Sequence, residues 1–90
     1  MTRSQLQTAS DHLSTAAEKT DEESQRERLT DLADQIETLA EADHGPDHGR
    51  LARFENALLE INRDASAAVV EEVTAAHEAL KEYRSGVEGV

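Results

Sequence analysis

Apolar residues recur along this chain at intervals of three and four, in four separate stretches. In the first, Leu6, Ala9, Leu13 and Ala16 line one face of a helix while charged and hydroxyl residues fill the other faces. The spacing predicts a helix over 4–19. A second stripe, Leu29, Leu32, Ile36 and Leu39, predicts a helix over 21–43. Its opening turns, DEESQRER, are wholly polar and rely on pairs such as Glu22 with Arg26, each worth about 0.2–0.5 kcal/mol. Leu51, Phe54, Leu58 and Ile61 predict a third helix over 47–62, with Ala57 and Leu59 widening its apolar face. Val69, Val73, Ala76, Leu80 and Tyr83 predict a fourth over 65–85, followed by a short flexible tail, 86–90.

The punctuation between the stripes fits this division. Thr20 and Glu23 have capping-box spacing, in which the hydroxyl accepts from a free backbone N–H and the carboxylate reaches back. His44, Gly45 and Pro46 stop the second helix, Gly45 by adopting the left-handed conformation and Pro46 by lacking an N–H. Asp47 is placed to cap the third helix, and Asp64 or Ser66 the fourth. No alternating β-branched run competes. The expected fold is all-α: one domain over 1–90, an up-down antiparallel four-helix bundle made of two helical hairpins, with dimerisation available to complete a small core.

Composition complicates that picture. Leu, Ile, Val and Phe make up 17 of 90 residues and the net charge is −11, a combination that by the usual rule signals disorder. The same acidic excess, with two lysines and 14 alanines, also describes a protein adapted to concentrated salt. At 1 M ionic strength the Debye length falls to about 3 Å, so surface carboxylates cease to repel one another across the molecule. The periodicity decides for a folded chain. Cysteine is absent, which removes disulfides and thiolate chemistry together. No signal peptide or membrane span can be drawn, so the expected location is the cytoplasm, with no membrane partner. The negative charge also argues against a nucleic-acid partner.

One local constellation could carry chemistry. Asp43, His44, Asp47 and His48 lie within six residues in the run EADHGPDHGR, and imidazole with carboxylate suits a divalent transition metal. Glu41 and His44 form one Glu-x-x-His step, but di-metal bundles need a second, and the chain has none. The structural reading gives each residue a task instead: His44 complements the helix dipole, Gly45 and Pro46 terminate, and Asp47 caps. That reading is preferred, so no metal ligand, cofactor site or catalytic residue is assigned. His12 stands alone on its helix, and His77 borders the fourth stripe, where a half-buried ring with one hydrogen bond is expected. Arg50, Arg53 and Arg63, with Lys81 and Arg84, could form a basic face; pairing with surface Glu and Asp is expected.

The run GPDHGRLARFENAL and the ending EYRSGVEGV resemble a family of short acidic proteins of halophilic archaea, without an assigned function. The resemblance implies a salt-loving source and a single-domain protein, and carries over no catalytic residue. The expected role is a non-enzymatic helical interaction module that binds itself, as a homodimer, or another protein. The alternative is a metal-binding protein centred on His44, Asp47 and His48.

Overall fold

The computed structural model describes residues 3–88, with side chains as far as Ser85. The described residues form four helices and no strand: α1 (Ser4–Lys19), α2 (Glu23–Glu41), α3 (His48–Asp64) and α4 (Ala67–Glu88). They lie side by side in a bundle measuring 39 × 19 × 17 Å. Cross-links between α1 and α2 set an antiparallel register: Ser10 Oγ donates to the Ala33 carbonyl at 2.8 Å, and the Arg26 guanidinium to the Ala17 carbonyl at 3.2 Å.

All four apolar stripes turn inward. Leu6, Leu13, Leu29, Ile36, Leu51, Leu58, Val69, Val73 and Leu80 are fully buried, and each such aliphatic side chain removed from water contributes about 1.5–3 kcal/mol. Leu39 and Tyr83 sit at the edge of this core, half-buried.

The helices are not equally spaced. α1 packs closely on both α2 and α4, α3 makes its closest approach to α4, and no comparable approach joins α2 to α3. Side-chain size accounts for this. α1 buries Ala9, Ser10, Ala16 and Ala17, while α2 adds Ala33 and Ala40 and α4 adds Ala76 and Ala79. Small side chains let helix backbones come together. The buried face of α3 is Leu51, Phe54, Leu58 and Ile61, with no alanine among them, so its axis stands off from the bundle.

Several local expectations are corrected. Thr20 does not cap α2 through a capping box: it is the buried C-cap residue of α1, its hydroxyl accepts from the Glu22 N–H at 3.2 Å, and the N-cap of α2 is Glu22. Arg26 does not pair with Glu22; its guanidinium donates to the Ala17 and Thr20 carbonyls and closes the C-terminus of α1. α2 stops at Glu41, two residues earlier than the stripe suggests, with Ala42 extended. Gly45 is not left-handed, since no described residue has positive φ. Its importance is space: a Cβ there would collide with the Tyr83 hydroxyl and press on the Arg3 guanidinium. α4 continues helically through Gly86 to Glu88, so 86–88 are not a tail; Gly89 and Val90 lie outside the described residues. Asp47 does cap α3, accepting from the Arg50 N–H at 2.8 Å, and Ser66 Oγ accepts from the Val69 N–H at 3.4 Å at the start of α4.

Candidate functional site

The α2–α3 connection is the first place to look for chemistry. Asp43, His44, Asp47 and His48 are all exposed, and Asp47 already uses a carboxylate oxygen on its helix cap. Among the described residues no three His, Asp or Glu side chains gather into a group able to hold a metal ion. The expected dipole partner of α2 is also different: Arg3, not His44, closes this helix. The Arg3 guanidinium donates to the carbonyls of Ala42 at 2.6 Å, Leu39 at 3.2 Å and Asp43 at 3.3 Å, and its backbone N–H donates to Ala40 at 2.9 Å. A cation at a helix C-terminus meets the negative end of the dipole and satisfies carbonyls that have no partner in the helix.

Two other charged nodes hold α4 to its neighbours. Glu72 on α4 receives Lys19 Nζ at 2.7 Å and lies 2.9 Å from His12 Nδ1, both on α1. The hydrogen bond from Lys19, helped by His12, holds the Glu72 carboxyl below the ordinary glutamate range, and Glu72 in turn raises the Lys19 ammonium. Glu55 on α3 receives Arg84 Nη1 at 3.2 Å and lies 3.3 Å from His77 Nε2, both on α4. His77 is thus the half-buried ring with one hydrogen bond that its position suggested. His12 is not isolated, because the bundle brings α4 to it.

These contacts sort the arginines. Arg3 and Arg26 cap helices, Arg28 pairs with Glu60 at 2.8 Å, and Arg84 pairs with Glu55. Four of the seven arginines therefore serve the fold. The other three, Arg50, Arg53 and Arg63, all lie on α3, and among the described residues none has a carboxylate within 4.0 Å. The expectation that they pair with surface acids fails for these three. Arg63 does not join Arg50 and Arg53, being ten residues from Arg53 along α3, or about 15 Å at the helical rise.

Arg50 and Arg53 line a hollow of about 380 Å³ in the wide α2–α3 seam, with Leu32, Gln35, Asp47 and Phe54. The Arg50 guanidinium carbon stands 5.9 Å from the centre of the Phe54 ring, a cation–π contact that holds the charge at the mouth of the hollow. A second hollow of about 380 Å³ lies further along the same seam, lined by Glu22, Ser24, Gln25, Arg28, Glu60, Ile61 and Asp64. The Arg28–Glu60 pair holds Glu60 below the ordinary glutamate range. The seam thus carries two mostly polar-walled hollows above Leu32, Phe54 and Ile61, each less than a tenth exposed; two arginines outweigh Asp47 at one end, and three acids outweigh Arg28 at the other. Periodicity alone could not reveal it, because every apolar stripe reads as core. The available signal was the lack of alanine on the buried face of α3, beside arginines one turn away.

Over residues 1–86 the sequence matches a known protein family. The chain belongs to DUF7553, a family of unknown function. No curated protein and no solved structure matches this DUF7553 chain. Membership brings no assigned residue with it, so the α2–α3 groove rests on its own geometry.

Proposed function

We propose that this DUF7553 protein is a non-enzymatic helical module whose work is to bind another polypeptide, either a second copy of itself or a different protein. The observation that carries the reading is the wide α2–α3 seam. A four-helix core of this size gains by closing every seam, yet this one keeps two hollows above Leu32, Phe54 and Ile61, and beside it stand two arginines that, among the described residues, have no carboxylate within 4.0 Å. Leu59, half-exposed on the outer surface of α3, adds a second apolar contact point. The net charge of −11 and the scarcity of lysine favour a protein partner over a polyanion and suit a cytoplasm of concentrated salt.

Sedimentation in molar KCl over a wide concentration range, combined with affinity capture at the same salt, tests the module. Reversible self-association or a reproducible, stoichiometric protein partner is expected. A strictly monomeric chain that captures nothing would sink the reading.

A further inference from the structure

We propose that the α2–α3 groove receives an amphipathic helix from another protein, with a carboxylate of that helix held between Arg50 and Arg53 and apolar anchors seated in the two hollows. This deepens the interaction-module reading and rests on it.

Spacing is the first argument. Gln25 and Leu32 on α2, Arg28 and Gln35 on α2, and Phe54 and Ile61 on α3 each place one member at each hollow, and every pair is seven residues apart. Seven residues of helix rise about 10.5 Å, so the hollows are two turns apart. An incoming helix parallel to the seam presents side chains i and i+7 at that interval, the recurrent anchor pattern of helices that dock in grooves. Strand addition by an extended peptide would need an open sheet edge, which helices do not offer because their N–H and C=O groups bond within the helix.

Charge is the second. Arg50 and Arg53 are exposed, adjacent on one helix face, and share a hollow with the Gln35 side-chain amide and the single carboxylate of Asp47, already engaged on the Arg50 N–H, so the hollow keeps a positive excess. A guanidinium pair of this kind matches a carboxylate by geometry as well as by sign. At the far end Arg28 offsets Glu60, but Glu22 and Asp64 remain to repel acid, so the groove also sets the direction of its guest: acidic at the Arg50–Arg53 end, neutral or basic at the other. Wherever salt is too dilute to screen it, a second copy of this chain brings another −11 to the encounter, which a short guest helix does not.

The test uses a synthetic amphipathic peptide with leucines at i and i+7 and glutamates at one end only, titrated into the isotopically labelled full-length protein. The salt is the lowest at which circular dichroism reports the folded helix content. Amide shifts are expected to concentrate at Gln25, Leu32, Gln35, Phe54 and Ile61. Replacing the peptide glutamates with lysine is expected to weaken binding about tenfold, the direction that removal of complementary charge at an interface gives. Arg50 and Arg53 are exposed, so Arg50→Glu/Arg53→Glu is expected to keep the helix content of the parent at the salt of the titration and to reverse the preference in favour of the lysine peptide. Four results overturn the proposal: no binding by the folded protein, shifts mapping to Leu59 and α4, an unchanged charge preference in the double variant, or a wild-type dimer that the double variant dissociates, which would give the groove to a second copy. The second and the fourth leave the interaction module standing while removing this guest, so the two failures are separable.

Discussion

Arg3 precedes the first helical turn of α1, yet its guanidinium donates to three carbonyls at the end of α2. Among the described residues no other group donates to these carbonyls from a side chain, since the last turn of α2 holds no basic residue, and Gly45 is not left-handed. Hydrogen bonds from a charged donor contribute about 1.5–3 kcal/mol where partly shielded from water, so Arg3→Ala is expected to destabilise the fold by about 1–3 kcal/mol in chemical denaturation. His44→Ala, at an exposed loop position, is expected to stay within about 0.5 kcal/mol of the parent. Equal effects would refute Arg3 as the cap. Gly45→Ala belongs to the same locus: its Cβ displaces the Tyr83 hydroxyl and the Arg3 guanidinium, both ends of flexible side chains, so its cost is expected to be at most that of losing the cap.

At the scale of elements, the contrast between tight and wide seams makes a sharper prediction. Ala16 is fully buried on α1, where α2 and α4 come close. Ala57 is half-buried on α3, one turn from Arg53 and Phe54 on one side and Glu60 and Ile61 on the other, the residues that line the two hollows. Ala16→Leu is expected to cost about 1–3 kcal/mol or more through overpacking, while Ala57→Leu is expected to be neutral or stabilising, both read from denaturant midpoints. The α1–α4 seam has its own signature in pH. Glu72 titrates lower in the folded chain than in the unfolded one, so its contribution is present above the ordinary glutamate range and is lost as pH falls through the lowered folded value. The stability difference between the parent and Glu72→Gln is therefore expected to be largest near neutrality and to shrink on acidification. A difference that stays constant across that window would show that Lys19 and His12 do not stabilise the carboxylate.

The whole molecule carries −11 on a surface of 5443 Å², and among the described residues Glu55, Glu60 and Glu72 are the acids held in ion pairs. Repulsion spread over such a surface is long-ranged in dilute buffer and short-ranged in concentrated salt. The melting temperature is expected to rise with added KCl and to level off as the Debye length approaches about 3 Å near 1 M. A melting temperature indifferent to KCl would remove salt adaptation from the account. The groove responds in the opposite sense, because the attraction of Arg50 and Arg53 for a carboxylate weakens over the same range, leaving the apolar anchors to hold a guest in strong salt.

Four helices, their inward faces and the caps at Asp47 and Ser66 were legible from residue order, because helical periodicity and N-capping are local properties within reach of three or four positions. The ends of α1 and α2 were not legible in this way, because Arg26 and Arg3 close them from other elements. The node at Glu72 depends on α1 lying beside α4, fifty or more residues apart in sequence. The groove depends on which seam the alanines close and which the bulk of α3 leaves open. Local sequence thus determined where the helices form and which faces are apolar, since those follow from short-range backbone and patterning rules. Only the tertiary structure decided which arginines pair internally and which, among the described residues, have no carboxylate within reach, since that depends on distances between helices that no single stripe encodes.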